Sequence, residues 1–389
     1  MTRKICVITG TRAEYGQLAR VMRLIQASSD TRLQVVATNM HLSPKYGNTY
    51  KEIENDGFSI DYRVPIIDDD SPNDDQAIVM EMSRALAGFG KAYIELQPDL
   101  VLVLGDRYEI LAAATAALIE RIPVAHIAGG EITEGAFDDS IRHCITKISH
   151  LHFTSTEDYR RRVIQLGEEP DRVFYVGALG VENIKNLPLL SKEEIEKDLD
   201  FIIDDKTILA TYHPVTLGAR TAKDDIDDFI AALNEKKDLR IVFTMPNSDT
   251  GGQYIVDAIN GFVACNQERA IAFKSLGVKR YLSVMKQVVA VVGNSSSGLV
   301  EVPSFGIPTL NIGDRQKGRM AADSVYNCDT DKESILKGLD TIMSPAFKQK
   351  VAGIHNPYDK EGTAQSIFDI ISTYPLWQLK QKHFYDIKI

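Results

Sequence analysis

The sequence predicts an α/β protein built as two parallel-sheet domains facing a central cleft, and three observations predict it. Short apolar runs recur along the whole chain, each followed by a turn and a helix-like stretch, as at Ile5–Ile8, Leu100–Leu104 and Val288–Val292. The run Leu100–Leu104 (LVLVL) has no polar position, which suits a strand covered by helices on both faces. The chain has 389 residues, more than one sheet of this kind normally organises.

Taken in order, strands are expected at Ile5–Ile8, Leu33–Thr38, Leu100–Leu104, Pro123–Ile127, His152–Thr154 and Val173–Val176. Helices are expected at Gln17–Gln26, Ala77–Leu96, Ile110–Glu120, Ser140–Ser149 and Asp158–Leu166. Such alternation implies parallel pairing through right-handed crossovers. The second half repeats it, with strands at Thr207–Tyr212, Arg240–Thr244, Ala270–Phe273, Val288–Val292 and Thr309–Ile312. Its helices fall at Asp224–Asn234, Gln253–Phe262 and Lys279–Lys286. The division is expected near Gly177–Gly180, giving domains 1–177 and 178–369, with a helix from Thr363 to Tyr374 and residues 370–389 packing back on the first. Asp68–Asp75, with five aspartates, reads as a solvated loop.

Composition narrows the classes of partner. Hydrophobic residues make up 44% and charged residues 25%, ordinary globular usage. The net charge of −10 argues against nucleic acid or an anionic membrane as the main partner. No apolar run reaches the roughly 18 residues that span a bilayer. The four cysteines, Cys6, Cys144, Cys265 and Cys328, are scattered and form no CxxC pair, so neither a disulfide framework nor a zinc finger is suggested. A soluble, cytoplasmic protein is expected.

Ligands of open α/β sheets sit at the carboxyl ends of strands, so the residues after each strand are the candidates. The first strand is followed by Gly10-Thr11-Arg12, a turn whose N–H groups and cation suit an anion. It matches neither a phosphate-loop nor a GxGxxG pattern. Gly105-Asp106-Arg107 follows LVLVL, pairing a carboxylate with a potential phosphate clamp; a structural ion pair capping the next helix is the alternative. Gly129-Gly130-Glu131 follows the next strand and opens an acidic cluster of Glu131, Glu134, Asp138 and Asp139. Neighbouring carboxylates raise one another's pKa and supply acid and base at neutral pH. Asp138 or Asp139 alternatively caps the Ser140 helix.

The second half offers different chemistry. His213-Pro214 ends one strand, and a polar stretch containing Asn247 follows the next. Gly293-Asn294-Ser295-Ser296-Ser297-Gly298 is expected to open a helix carrying Glu301. Small hydroxyl residues at a helix start let donors wrap a phosphate, and an acid further on suits ribose hydroxyls. Arg315, Lys317 and Arg319 then place three cations in one loop; a diphosphate site is the reading, a solvated basic turn the alternative. His150 and His152 alternate onto one strand face but lack further ligands, so no metal site is expected.

Read together, TGTRAEYG, GDRYE, HIAGGE with DDSIRH, HPVT, PNSDTG, GNSSSGLVEVP and GDRQKGR resemble the UDP-N-acetylglucosamine 2-epimerases. They resemble in particular the hydrolysing, stand-alone bacterial branch that makes N-acetylmannosamine for sialic acid synthesis. The resemblance spans roughly residues 4 to 374. It implies two Rossmann-like domains of the glycosyltransferase B type, with UDP held mainly by the second. It maps catalytic carboxylates to Asp106 and Asp138, with Glu131 beside them, and adds His213 near the diphosphate. Arg12, Arg107, Asn247, Ser295, Ser296 and Arg315 would hold UDP or line its surroundings, and Glu301 would bind ribose. The implied reaction uses a UDP-sugar and no metal, flavin or nicotinamide, and family members commonly form dimers or tetramers.

One position departs from that pattern. Relatives of this branch often carry Glu, or in some His, where this chain has Ala128 in HIAGGE. Glu131 or another group then takes the proton-transfer role, or the position is dispensable. Alternatives to UDP-N-acetylglucosamine hydrolysis are a hydrolysing enzyme for UDP-2,4-diacetamido-2,4,6-trideoxyglucose on the legionaminic acid route and a non-hydrolysing epimerase. A glycosyltransferase and a non-catalytic nucleotide-sugar binding protein are the alternatives of other classes.

Overall fold

The computed structural model describes residues 2–70, 74–215, 217, 220–246 and 251–387. Contacts divide the chain into two compact units: Met1–Glu131, Asp138–Glu182 and Lys360–Ile389 form the first, and Ile132–Phe137 with Asn183–Asp359 form the second.

The first unit runs β1 (Arg3–Thr9), α1 (Arg12–Ala27), β2 (Thr31–Thr38), α2 (Tyr50–Asn55), β3 (Tyr62–Val64), α3 (Asp75–Leu96), β4 (Leu100–Leu104), α4 (Tyr108–Ile119), β5 (Val124–Ile127), α5 (Asp138–Ile148), β6 (Leu151–Thr154), α6 (Glu157–Gln165) and β7 (Val173–Tyr175). Helix α7 (Leu179–Asn186) crosses the division. The second unit continues with α8 (Lys192–Leu199), β8 (Thr207–Thr211), α9 (Ala222–Glu235), β9 (Arg240–Thr244), α10 (Gly252–Cys265), β10 (Ala270–Phe273) and α11 (Gly277–Gln287). It ends with β11 (Ala290–Gly293), α12 (Ser297–Val300), β12 (Thr309–Ile312), β13 (Val325–Cys328), α13 (Lys332–Met343) and α14 (Pro345–Val351). Helix α15 (Thr363–Thr373) belongs to the first unit.

Both sheets are parallel and doubly wound. The seven-stranded sheet has the order β3-β2-β1-β4-β5-β6-β7, and the six-stranded one β10-β9-β8-β11-β12-β13. The order reverses between β1 and β4 in the first and between β8 and β11 in the second. At such switch points the two crossovers leave in opposite directions and open a crevice at the strand ends. Within each unit, the residues after those four strands are therefore placed for ligands.

Burial follows from sequence periodicity. Tyr15, Leu18, Met22 and Ile25 of α1 recur at helical spacing and are all buried, so one stripe of α1 faces the sheet. Helix α15 adds Ala364, Ile367 and Ile371 to the same core, each of the two isoleucine side chains being worth about 2 kcal/mol. In the second unit, Phe229, Ile255 and Ile335 cover one sheet face. Leu199, Leu282, Met285 and Val302 cover the other. Among the described residues no helix is long and apolar enough to cross a membrane.

Several elements differ from expectation. Strands β3 and β13 were not anticipated; each lies at a sheet edge, where exposed positions carry Arg63 or Asn327 in place of an apolar run. Helix α5 begins at Asp138, so both aspartates sit in its first turn. The expected helix carrying Glu301 is only the four-residue α12. A 3-10 turn from Val302 to Phe305 replaces it, because Pro303 cannot continue the helical ladder.

Candidate active site

In the first unit, the residues after β4 and β5 and the first turns of α5 gather around one buried cation. Arg142 on α5 is ion-paired with Asp106, which follows β4. The same guanidinium reaches Asp139 Oδ1 at 3.1 Å and donates to the Glu131 carbonyl oxygen at 3.0 Å. The Arg142 side chain is 1% exposed, whereas Asp106 keeps 27%. A planar fork with five donors is what such a convergence of acceptors needs. Arg142, which the sequence shows beside the acidic cluster in DDSIRH but to which it assigns no role, is the organising residue; its spacing from Asp138 and Asp139 puts it on their helix face.

Glu131 is fixed from a different side. It is buried, and Ser155, just past β6, donates its hydroxyl to Oε1 at 2.8 Å. The approach to it bends sharply. Ala128 has φ 67° and Gly130 φ 79°, both in the left-handed region that disfavours side chains. A Cβ on Gly130 would stand 2.5 Å from the Tyr159 carbonyl oxygen, so only glycine fits there. Ala128 accepts this backbone while its N–H donates to the Phe153 carbonyl at 2.9 Å.

His126 ties these pieces together. Its Nε2 lies 2.7 Å from the Gly105 carbonyl and its Nδ1 3.3 Å from Thr146 Oγ1 on α5. A carbonyl only accepts, so Nε2 carries the proton and Nδ1 accepts from the threonine. Burial pulls the imidazole down to about 3, which keeps this neutral form throughout the working range. Burial also lowers His143, against the opposing pull of Asp139.

The turn after β1 is built differently from its sequence expectation. The Gly10 and Thr11 N–H groups donate to Glu14 Oε2 at 2.8 and 3.2 Å, and the Glu14 N–H donates to Thr11 Oγ1. This reciprocal cap uses the two donors that had been offered to an anion. Burial and the nearby Glu109 carboxylate push the Glu14 carboxyl upward, so it holds its proton to higher pH. Arg12 forms an ion pair with Glu52 at 3.0 Å. Arg107 occupies the N-cap position of α4, and its side chain pairs with buried Glu109 at 2.8 Å.

In the second unit, Asn294 joins the ends of β8 and β11. Its Oδ1 accepts from the His213 N–H at 2.7 Å, and its Nδ2 donates to the His213 carbonyl at 2.8 Å. The Asn294 carbonyl in turn accepts from Arg315 Nη1 at 3.2 Å and Gln316 Nε2 at 2.9 Å. The basic loop is thus anchored to the strand end beside Ser295 and Ser296. Gly293 makes this approach possible: a Cβ there would overlap the Thr211 carbonyl oxygen at 1.9 Å. The N–H of Ser297 donates to Ser295 Oγ at 3.4 Å. Glu301 follows α12 directly. Asn247 lies outside the described residues. Asn294 and Gln316 were missed in the sequence because an amide among serines or cations carries no charge signal.

The histidines considered for a metal are otherwise engaged. His152 Nε2 lies 3.0 Å from Glu168 Oε2, and His150 Nδ1 accepts from the Val124 N–H at 3.2 Å. Among the described residues no group of three or more His, Cys, Asp or Glu is placed to hold a metal ion.

This arrangement, carboxylates at one switch point and cations with hydroxyls at the other, can be compared with known proteins. The chain is 42% identical over 348 residues to the GDP/UDP-N,N'-diacetylbacillosamine 2-epimerase (hydrolyzing) of Campylobacter jejuni, covering 89% of each chain. It is 38% identical to polysialic acid biosynthesis protein P7 of Escherichia coli, covering 99% of this chain and 98% of that one. A UDP-N,N'-diacetylbacillosamine 2-epimerase (hydrolyzing) from Legionella pneumophila is 35% identical, covering 97% of each. Among solved structures, the S. aureus MnaA–UDP co-structure superposes with a TM-score of 0.81 at 17% identity, over 100% of both chains. The Neisseria meningitidis UDP-GlcNAc 2-epimerase bound to UDP-GlcNAc gives 0.78 at 19% identity, over 95% and 99%. The fold is therefore the glycosyltransferase B type that the motif resemblance implied. Residues 23–372 match the family described as UDP-N-acetylglucosamine 2-epimerase, and the chain belongs to that family.

Proposed function

We propose that the protein is a hydrolysing 2-epimerase that converts a UDP-2-acetamido sugar into free UDP and the free 2-epimeric amino sugar. The observation that carries this reading is the pair of carboxylates Asp106 and Asp139 gathered on Arg142, which also holds the backbone carbonyl of Glu131. A hydrogen at C2 beside an acetamido group is poorly acidic. As the C1–O bond to the diphosphate breaks, oxocarbenium character grows at C1 and acidifies C2–H. A carboxylate then takes the C2 proton, the C1–O electron pair leaves with UDP, and the product is a glycal with its double bond between C1 and C2. Water adds back, its hydroxyl to C1 and a proton to the opposite face of C2.

In this reading Asp106, Glu131 and Asp138 carry the proton transfers. Arg12, Arg107, His213, Asn247, Ser295, Ser296 and Arg315 serve the diphosphate and its surroundings, and Glu301 the ribose. Cations and N–H donors aimed at a leaving diphosphate stabilise charge that appears only as the bond breaks. The scheme itself calls for neither metal nor nicotinamide. For the sugar, the identities of 42% and 35% to diacetylbacillosamine enzymes support UDP-N,N'-diacetylbacillosamine. The likeness to polysialic acid protein P7 supports UDP-N-acetylglucosamine as the second substrate to try.

The test incubates the protein with each UDP-sugar in D2O, with and without EDTA, and follows products by NMR. Free UDP and a free 2-epimeric sugar bearing deuterium at C2 are expected, at a rate EDTA does not change. An intact epimeric UDP-sugar would identify a non-hydrolysing enzyme. Retention of the original hydrogen at C2 would overturn the elimination, and binding without turnover would leave a sugar-nucleotide binding protein.

A further inference from the structure

The C-terminal segment grips the far end of the helix that carries the acidic cluster. Lys382 Nζ donates to the carbonyl oxygens of Lys147 at 2.5 Å, Ser149 at 2.6 Å and, more distantly, Thr146 at 3.3 Å. Thr146 and Lys147 lie in the last turn of α5 and Ser149 just follows it, where the helix leaves its closing carbonyls without onward partners and carries the negative end of its dipole. The same ammonium lies 2.7 Å from Glu168 Oε2, a carboxylate that is 2% exposed and also held by Lys147 at 2.6 Å and His152 at 3.0 Å.

The segment around Lys382 is itself fastened. Arg172 donates to the carbonyls of Gln378 and Gln381 at 3.1 and 3.2 Å. The Tyr385 N–H donates to the Gly167 carbonyl at 2.9 Å. The Phe384 ring stands 4.8 Å from Lys147 Nζ and occupies the space a Cβ on Gly167 would need. The anchors thus come from α5, the loop after α6 and the turn before β7. At the other end of α5 are Asp138, Asp139 and Arg142, which holds Asp106.

We propose that residues 381–385 form a strap that fixes the position of α5, and that Lys382 is a positioning residue for the carboxylates set on that helix and its Arg142. A helix of eleven residues is stiff, so a pin at its end fixes the displacement and rotation of its first turn. A strap that only stabilised the fold would not distinguish turnover from substrate binding. The proposal rests on the 2-epimerase reading for its catalytic consequence, but its structural part is measurable without turnover.

The experiment compares wild type with Lys382→Met, Lys382→Arg and Phe384→Ala, each checked for folding by circular dichroism. Amide hydrogen exchange across 138–148 and steady-state kinetics on the preferred UDP-sugar are then measured. Lys382→Met is expected to speed α5 exchange about tenfold and to lower kcat about tenfold with KM within a factor of two. Lys382→Arg should recover most of both, and Phe384→Ala, which keeps the ammonium, should give a smaller change in the same direction. Unchanged α5 exchange in Lys382→Met overturns the strap, and faster exchange with unchanged kcat overturns the positioning role. A wild-type protein without turnover would count against the epimerase reading alone, since the exchange data still decide the strap.

Discussion

Arg142 on α5 is ion-paired with Asp106, 36 positions earlier at the end of β4. The pair joins the switch point of the first sheet to the helix bearing Asp138 and Asp139. Removing the cation leaves carboxylates that were arranged around it, and breaking a buried pair typically costs about 3 kcal/mol or more. Arg142→Met should therefore lower stability in urea by about 3 kcal/mol. Arg142→Lys keeps the charge but not the fork, so it should remain folded and lose most of its turnover. Normal turnover in Arg142→Lys would show that the fork geometry is irrelevant.

Glu131 and Asp138 compete for the role left by Ala128. Glu131 is buried with Ser155 on one oxygen, while Asp138 opens α5. Asp106→Asn and Glu131→Gln are expected to cut kcat at least about 100-fold with UDP affinity kept. If Glu131→Gln turns over normally and Asp138→Asn is dead, Asp106 and Asp138 are the working pair.

In the second unit, Glu301→Ala should weaken UDP binding about tenfold or more by calorimetry. Loss of a hydrogen bond to a charged group is worth roughly 1.5–3 kcal/mol. Equal affinity in a folded variant would remove Glu301 from the nucleotide site.

Two buried groups give opposite pH signatures. His126 is held neutral down to about 3, first by burial, whereas in the unfolded chain it takes a proton near pH 6.5. The unfolded state therefore binds the extra proton, and stability falls with acid. Relative to His126→Gln, the wild type should lose about 1.4 kcal/mol per pH unit between pH 6 and 4. Glu14 is raised by burial and by Glu109, so the fold favours its protonated form. That contribution is present in acid and fades as pH rises above about 4.5. Glu14→Gln should accordingly gain on the wild type toward pH 8 in thermal melts. Parallel melting curves across this range would refute both assignments.

Much of the fold was legible because buried parallel strands carry a strong signal. Leu100–Leu104, Arg240–Thr244 and Thr309–Ile312 have the expected boundaries, each a short interior run whose side chains are shielded by helices. The edge strands Tyr62–Val64 and Val325–Cys328 carry exposed polar positions at Arg63 and Asn327 and so present no such apolar run. Charge marks Asp106 and Glu131 in the sequence, and Arg142 contacts both, the first through its carboxylate and the second through its backbone carbonyl. The site was not legible where neutral or structural partners do the holding, as with Asn294, Ser155 and His126. The turn at Thr11 shows the converse. A motif suited to an anion is closed by a carboxylate three residues further along, and the capping spacing of Thr11 and Glu14 was the signal for it.

The placement of α15 bears on the order in which the chain matures during synthesis. Ala364, Ile367, Ile371 and Leu379 sit in the core of the first unit, yet they emerge from the ribosome only after all of 183–359. The later sheet can therefore finish while the earlier one still waits for one wall of its interior. Domains usually complete themselves from the N-terminal end as they are made; in this chain the first sheet to be started is the last to be closed.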